Sequence, residues 1–136
     1  MKHTPLFEAI VKLVKPYVDK MEYVCTINPS EKHVKYTIEK QQCGIYAFYP
    51  KDEIGQPFYV GETLSCMLKR ISNHKRSLRE PSWPTEITGK KFDAYGIERV
   101  QDLDVYFIPY DELINKYDSR TLEGLFKLVL KPMVFE

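Results

Sequence analysis

The feature that most constrains the fold is a change in hydrophobic pattern near the middle of the chain. Residues 43–49 are an apolar run of β-prone side chains, and residues 58–60 resume this run after a polar break. Such a pattern predicts two adjacent antiparallel strands. From Leu64 to about Arg79 the apolar side chains recur at helical spacing instead, with Thr63 as the predicted N-cap. The chain is therefore expected to form a mixed α/β fold in which two strands lead into a helix.

The N-terminal part of the chain predicts one helix and a hairpin. Apolar side chains recur at helical spacing over residues 5–21, after the capping pair Thr4-Pro5. Residues 23–27 and 34–38 are β-prone, and the turn signal between them favours a hairpin. We expect these elements to be an addition to the main sheet.

The second half of the chain predicts a third strand and a last helix. Residues 81–99 contain several prolines and glycines and are expected to be irregular. Residues 104–108 are predicted to be the third strand of the sheet. Asp118 or Ser119 is the predicted N-cap of the last helix, and Pro132 is predicted to terminate it. The expected architecture is a central three-stranded antiparallel sheet flanked by helices.

Length and composition favour one soluble domain that spans residues 1–136. The chain is 43% hydrophobic and 29% charged, which excludes disordered, fibrous and membrane-embedded classes. Lys12 and Lys15 interrupt the N-terminal apolar residues where a signal peptide would have its core. The three cysteines form no C-x-x-C pair, so neither a zinc site nor a redox disulfide is indicated. A cytoplasmic protein with no membrane partner is expected.

Three polar residues lie at the borders of the apolar stripes of the predicted helices. Arg70 and His74 are four residues apart and therefore share one helix face. That face flanks the apolar stripe, so both side chains are expected to border the sheet. Glu123 flanks the stripe of the last helix in the same way, beside Gly124, whose missing side chain lets another group approach.

Two tripeptides on the predicted strands precede these three residues along the chain. In sequence they are Gly44-Ile45-Tyr46, Tyr59-Val60-Gly61, Arg70, His74 and Glu123. Together they resemble the five-part signature of the GIY-YIG nucleases, over residues 43–133, and residues 122–132 are most similar to the restriction-endonuclease branch. The resemblance implies a catalytic core at 43–133 with residues 1–40 as an N-terminal elaboration. It also implies a divalent-metal-dependent endonuclease that hydrolyses phosphodiester bonds in DNA in a restriction-like manner.

The resemblance assigns a role to each of five side chains. Tyr46 would be the general base, which requires a nearby cation because the pKa of tyrosine is ordinarily about 10. Tyr59 would orient water or hold Tyr46. Arg70 would bind the nonbridging phosphate oxygens through its planar fork, and His74 would relay or share the proton. Glu123 would bind Mg²⁺, with Mn²⁺ as a substitute.

One position departs from the family pattern. Family members commonly have an asparagine twelve residues after the metal-binding glutamate, where this chain has Phe135. Without that amide, a hydrogen bond that would brace the metal site is lost. The alternative is therefore a non-catalytic nucleic-acid-binding module that keeps the fold and the basic surface.

Local charge supports a nucleic-acid partner, although the formal net charge of the whole chain is only +1. Basic residues outnumber acidic ones between residues 63 and 91, and phosphate contacts supply most non-specific affinity for DNA. The predicted contacts are Lys69, Lys75, Arg76, Arg79, Lys90 and Lys91. Trp83 is a further candidate for stacking on a base. Because each chain has one predicted site, cleavage of both strands would favour a homodimer.

Overall fold

The computed structural model describes residues 5–31, 43–53, 55–64, 66–84, 86–110 and 119–135. The elements in chain order are α1 Pro5–Val18, β1 Glu22–Ile27, β2 Gly44–Pro50, β3 Tyr59–Thr63, α2 Met67–Arg79, α3 Thr88–Ala94, β4 Leu103–Pro109 and α4 Ser119–Leu130. No helix within these ranges is both long enough and apolar enough to span a membrane.

The strands form an antiparallel sheet in the order β1-β4-β2-β3. The predicted pairing of the two motif strands is confirmed, with Tyr46 opposite Gly61 on β3 and opposite Phe107 on β4. The predicted number of strands is wrong, because the described sheet has four. The predicted strand at residues 23–27 belongs to β1, which is one of the two edge strands of this sheet and pairs with β4. Its predicted hairpin partner, residues 34–38, lies outside the described residues. The turn signal after β1 could not reveal this pairing, since β4 is distant in sequence.

Both faces of the central strand β2 are covered by helices. Tyr46 and Phe48 pack on the side of α2 and α3, whereas Ile45 and Ala47 pack on the side of α1 and α4. This burial explains why β2 is a continuous apolar run rather than an alternating one. Side chains of α2 therefore meet one face of the motif strands, and those of α4 meet the other.

Several helix boundaries differ from the predictions. Thr63 is the last residue of β3, where it pairs with Gly44, so α2 begins later, after the N-cap residue Cys66. The segment predicted to be irregular contains the short helix α3. Gly89 allows α3 to lie against α2, because a Cβ atom there would be 2.2 Å from the carbonyl oxygen of Ser77. The last helix spans Ser119–Leu130, so Ser119 lies within it, and the other predicted cap, Asp118, lies outside the described residues.

Candidate active site

Three of the five predicted site residues are in direct contact. The Tyr46 hydroxyl lies 2.5 Å from Nε2 of His74, and Nε of Arg70 donates a hydrogen bond to the same hydroxyl at 3.4 Å. The side chains of Tyr46 and His74 are fully buried, whereas that of Arg70 is 40% exposed. The strand β2 and the inner face of α2 thus bring a phenol, an imidazole and a guanidinium together at the margin of the core.

The glycine of the second tripeptide makes room for this cluster. Gly61 is opposite Tyr46 in the β2–β3 pairing. A Cβ atom at position 61 would be 2.4 Å from the Tyr46 hydroxyl oxygen, closer than real Cβ contacts come. Any larger residue at position 61 would therefore collide with the phenol.

Tyr59 joins the cluster through its ring. The ring is stacked near Tyr46, with centroids 6.3 Å apart, and meets His74 edge-on at 5.3 Å. The ammonium of Lys91 lies 5.8 Å from the centroid of the Tyr59 ring, within the range of a cation–π interaction. The structure thus places the second motif tyrosine and one predicted DNA-contacting lysine beside the same three residues.

Two further site residues come from the segment around α3 and were missed by sequence analysis. The Thr88 hydroxyl is hydrogen-bonded to Nδ1 of His74, and the buried carboxylate of Glu86 has an oxygen 3.5 Å from Nη1 of Arg70. No spacing rule could identify them, because these contacts form only when α3 packs on α2. The sequence offers one chemical signal for such a residue. If His74 is buried, each of its two ring nitrogens requires a hydrogen-bond partner.

Burial keeps the central pair of side chains neutral. It raises the pKa of Tyr46 well above its ordinary value of 10, and the positive charge of Arg70 offsets only part of this effect. Burial also lowers the pKa of His74 well below its ordinary value of 6.5, with Arg70 and Lys91 adding to the effect. Arg70 can only donate to the Tyr46 oxygen, and Nε2 of His74 is the acceptor within reach of the buried hydroxyl, so we assign the phenol as the donor to Nε2. Nδ1 of His74 then carries a hydrogen and donates to Thr88.

The buried neutral His74 predicts a pH dependence of stability. The unfolded chain takes up a proton at this side chain near pH 6.5, and the folded chain does so only at much lower pH. The unfolded state therefore binds more protons in this window, and the free energy of unfolding falls as the pH is lowered through it. We expect a loss of about 1.4 kcal/mol between neutral pH and pH ~5.5, measured by urea unfolding.

The control for this effect is His74→Gln, whose side chain does not titrate. Its free energy of unfolding should decrease less over the same pH interval, whatever its absolute stability. Equal pH slopes for the two proteins would contradict the assignment of this effect to His74.

A cleft of about 320 Å³ opens beside Arg70. Lys69, Arg70 and Asn73 of α2 line one side of it, and Glu62 of β3 lines another. Glu62 lies opposite Ile45 in the sheet and therefore on the α4 side of β3, where the Tyr110 hydroxyl donates a hydrogen bond to it at 3.0 Å. The cleft therefore receives side chains from both sides of the edge strand β3, with Arg70 between the buried cluster and the open volume.

Glu123 lies on α4, on the other side of the sheet from Tyr46 and His74. Its carboxylate oxygen Oε1 is 2.7 Å from the ammonium of Lys127. In the described parts of the chain, no group of three or more histidine, cysteine, aspartate or glutamate side chains could hold a metal ion. Magnesium requires fewer protein ligands than that, because it keeps several waters and takes substrate phosphate oxygens. A carboxylate at Glu123 fits such an ion in ligand type, provided that Lys127 moves away.

The structure corrects one of the predicted DNA contacts. Lys75 is only 7% exposed, and its ammonium donates a hydrogen bond to the carbonyl of Glu31 at 2.6 Å. Burial also lowers its pKa. The local excess of basic residues predicted a DNA contact at Lys75, but the segment after β1 covers this part of α2. Lys75 is therefore not available to a DNA backbone.

The other basic residues have different surroundings. Lys69 is exposed at the cleft, and Lys90 is exposed on α3. Arg76 and Arg79 both pair with Glu80 near the end of α2. The guanidinium of Arg76 also lies 4.8 Å from the centroid of the Trp83 ring, so the loop tryptophan packs on the protein's own surface. Lys69 and Arg70 therefore supply the positive charge that lines the cleft, and Lys91 lies against the ring of Tyr59.

Phe135 is held on the surface near α3. Its side chain is 49% exposed, and its carbonyl oxygen accepts a hydrogen bond from the Tyr95 hydroxyl at 3.1 Å. The preceding residues Met133 and Val134 donate backbone hydrogen bonds to the carbonyls of Pro57 and Phe58. The aromatic ring at position 135 is therefore not part of the core, and its replacement would leave no buried cavity.

No protein-family model, curated protein or solved structure matches this chain. The features that bear on function are the cluster formed by Tyr46, Tyr59, Arg70, His74 and Thr88 and the cleft beside it.

Proposed function

We propose that this protein is a divalent-metal-dependent endonuclease of the GIY-YIG type that hydrolyses phosphodiester bonds in DNA, in a restriction-like manner. The observation that carries the proposal is the position of Arg70. One edge of its guanidinium contacts the buried Tyr46 hydroxyl, and the side chain also lines the cleft with Lys69 and Asn73. A permanently charged planar group at this position suits the nonbridging oxygens of a phosphodiester.

The buried pair supplies a route for a proton. His74 is neutral and Nε2 accepts from Tyr46, so the imidazole can take the phenolic proton while the phenol takes one from an attacking water. Because Tyr46 is fully enclosed, this exchange requires the attacking water to enter beside the hydroxyl while Arg70 keeps its place. Thr88 keeps the imidazole ring oriented during the transfer.

A divalent ion, Mg²⁺ or its substitute Mn²⁺, supplies positive charge at the phosphate and the leaving oxygen when it is bound. Glu123 is the residue that would hold it, after its carboxylate exchanges the ammonium of Lys127 for the ion. Arg70 would neutralise charge on the nonbridging phosphate oxygens from the α2 side of the sheet. Its positive charge lowers the pKa of Tyr46 against the larger effect of burial.

The proposal is tested by incubating the purified protein with supercoiled plasmid and a series of divalent ions. We expect nicked or linear product with Mg²⁺ or Mn²⁺ and none with a chelator present. The absence of product with every ion, from a protein shown to be folded by its thermal melt, would refute the endonuclease assignment. Linear product without a nicked intermediate would support a homodimer with two sites, which sedimentation then checks.

Replacing Glu123 with glutamine tests the metal ligand. The amide keeps the size of the side chain and removes its charge, so the affinity for Mg²⁺ should fall and cleavage at a fixed, subsaturating magnesium concentration should slow roughly tenfold to 100-fold. The magnesium titration of plasmid nicking should shift to higher concentrations.

The matched control for Glu123→Gln is Glu80→Gln. Glu80 also forms an ion pair with a helical cation four residues away, Arg76, but it is exposed at the far end of α2. The Glu80→Gln substitution should leave the magnesium titration unchanged. An unshifted titration for Glu123→Gln would place the ion elsewhere.

A non-catalytic nucleic-acid-binding module is the second candidate, and two observations favour it. The Tyr46 hydroxyl is enclosed, and the Glu123 carboxylate is already paired with an ammonium. Such a module would bind DNA through the charge near the cleft and would leave plasmid intact with every ion. Gel-shift assays with DNA and RNA of the same sequence, run beside the plasmid assay, separate the two candidates.

A further inference from the structure

Glu86 is a buried carboxylate that the proposed reaction does not yet use. Its side chain is 8% exposed, one oxygen is 3.5 Å from Nη1 of Arg70, and the other accepts a hydrogen bond from the backbone amide of Ile87 at 3.2 Å. Its own carbonyl accepts a hydrogen bond from the Ser77 hydroxyl at 2.9 Å. The carboxylate is therefore fixed where the segment before α3 packs on α2.

The guanidinium of Arg70 is consequently held at two points. Nε donates to the Tyr46 hydroxyl, and Nη1 faces the carboxylate of Glu86. Two contacts at different atoms of one planar group determine its orientation, which one contact would not. The other two arginines of α2 differ in their acidic partner, because both pair with Glu80, whose side chain is 49% exposed. Exposed pairs of that kind hold a side chain only weakly.

We propose that Glu86 is a positioning residue that orients Arg70, so that the remaining edge of its guanidinium meets a phosphodiester in the cleft. This inference rests on the proposed endonuclease function. It adds a required residue that is not one of the five elements of the signature. Its physical basis is that a phosphate-binding fork accelerates a reaction only when it is already in place as charge develops on the phosphate.

Two substitutions test separately the effects of the length and of the charge of the Glu86 side chain. Glu86→Gln keeps the length and an oxygen that accepts from Arg70, whereas Glu86→Asp keeps the charge and shortens the side chain. If Glu86 acts by positioning, we expect kcat to fall roughly tenfold to 100-fold in Glu86→Asp and only several-fold in Glu86→Gln. KM for DNA should change little in either. The control substitutions Glu80→Gln and Glu80→Asp should leave kcat unchanged.

Three results would overturn the inference. A smaller loss of kcat in Glu86→Asp than in Glu86→Gln would show that the charge of the side chain matters more than its length. A rise in KM at unchanged kcat would show that Glu86 affects only DNA binding. Faster cleavage by both variants would show that the carboxylate competes with phosphate for Arg70.

A second measurement does not depend on nuclease activity. Nitrogen-15 NMR of the arginine side chains reports exchange and rotation of each Nε–H group, and the signal missing in Arg70→Lys identifies Arg70. We expect a protected, ordered signal in the wild type and in Glu86→Gln, and a faster-exchanging one in Glu86→Asp. Identical Arg70 signals in all three proteins would overturn the role of Glu86. A wild type that cleaves no DNA would instead refute the proposed function, while this measurement still decides whether Glu86 orients Arg70.

Discussion

Replacing Tyr46 with phenylalanine is expected to slow DNA cleavage by about 10³-fold or more, because general acid–base groups typically contribute 10²–10⁴-fold. The substitution keeps the ring contacts with Phe48 and Tyr59 and removes only the hydroxyl that contacts both His74 and Arg70. It also leaves Nε2 of His74 buried without its partner, which should lower the free energy of unfolding by roughly 1–3 kcal/mol. Plasmid nicking rates and urea unfolding measure the two effects.

The matched control is Tyr49→Phe. Tyr49 is on the same strand and is also buried, but it packs on the opposite face of the sheet, where its ring contacts Tyr106. Cleavage should continue at close to the wild-type rate in this variant. If Tyr46→Phe were equally active, the phenol would have no part in proton transfer.

Replacing Gly61 with alanine is expected to have a comparably large effect, although position 61 carries no chemistry. The new Cβ atom would be 2.4 Å from the Tyr46 hydroxyl oxygen and 2.5 Å from the ring carbon that bears it. The Tyr46 ring cannot swing away easily, because Phe48, Tyr59 and His74 surround it. We expect a loss of about 1–3 kcal/mol in the free energy of unfolding, together with loss of cleavage.

Gly55→Ala provides the control for this substitution, since a Cβ atom there would have no neighbour within 4 Å. It should leave both stability and cleavage nearly unchanged. A Gly61→Ala protein with wild-type stability would show that the phenol does not occupy the space over β3 that the structure assigns to it.

The types of most elements could be predicted from local sequence patterns. Two apolar runs and a later change to helical spacing predicted β2, β3 and α2, and the same spacing placed Arg70 and His74 on one helix face. These predictions succeeded because side-chain direction within a strand or a helix follows from position along the chain. The boundary between β3 and α2 was predicted less well, since strand pairing keeps Thr63 in the sheet.

The partners of these elements could not be predicted in the same way. The strand formed by residues 22–27 was predicted, but its pairing with β4 depends on a contact between distant parts of the chain. Lys75 was predicted to contact DNA from the local excess of basic residues, and a count of charges does not show which segment covers a helix. The contact of its ammonium with the Glu31 carbonyl exists only in the folded chain.

The sequence by itself determined the chemical groups of the five predicted site residues and the strands and helices that carry them, since each depends on residue type and local periodicity. Only the tertiary structure decided which groups meet. Packing of α3 on α2 brings Thr88 to His74 and Glu86 to Arg70, and strand register places Gly61 under the phenol of Tyr46. Burial in that packed arrangement, rather than residue type, keeps Tyr46 protonated and His74 neutral, because a low-polarity interior disfavours their charged forms.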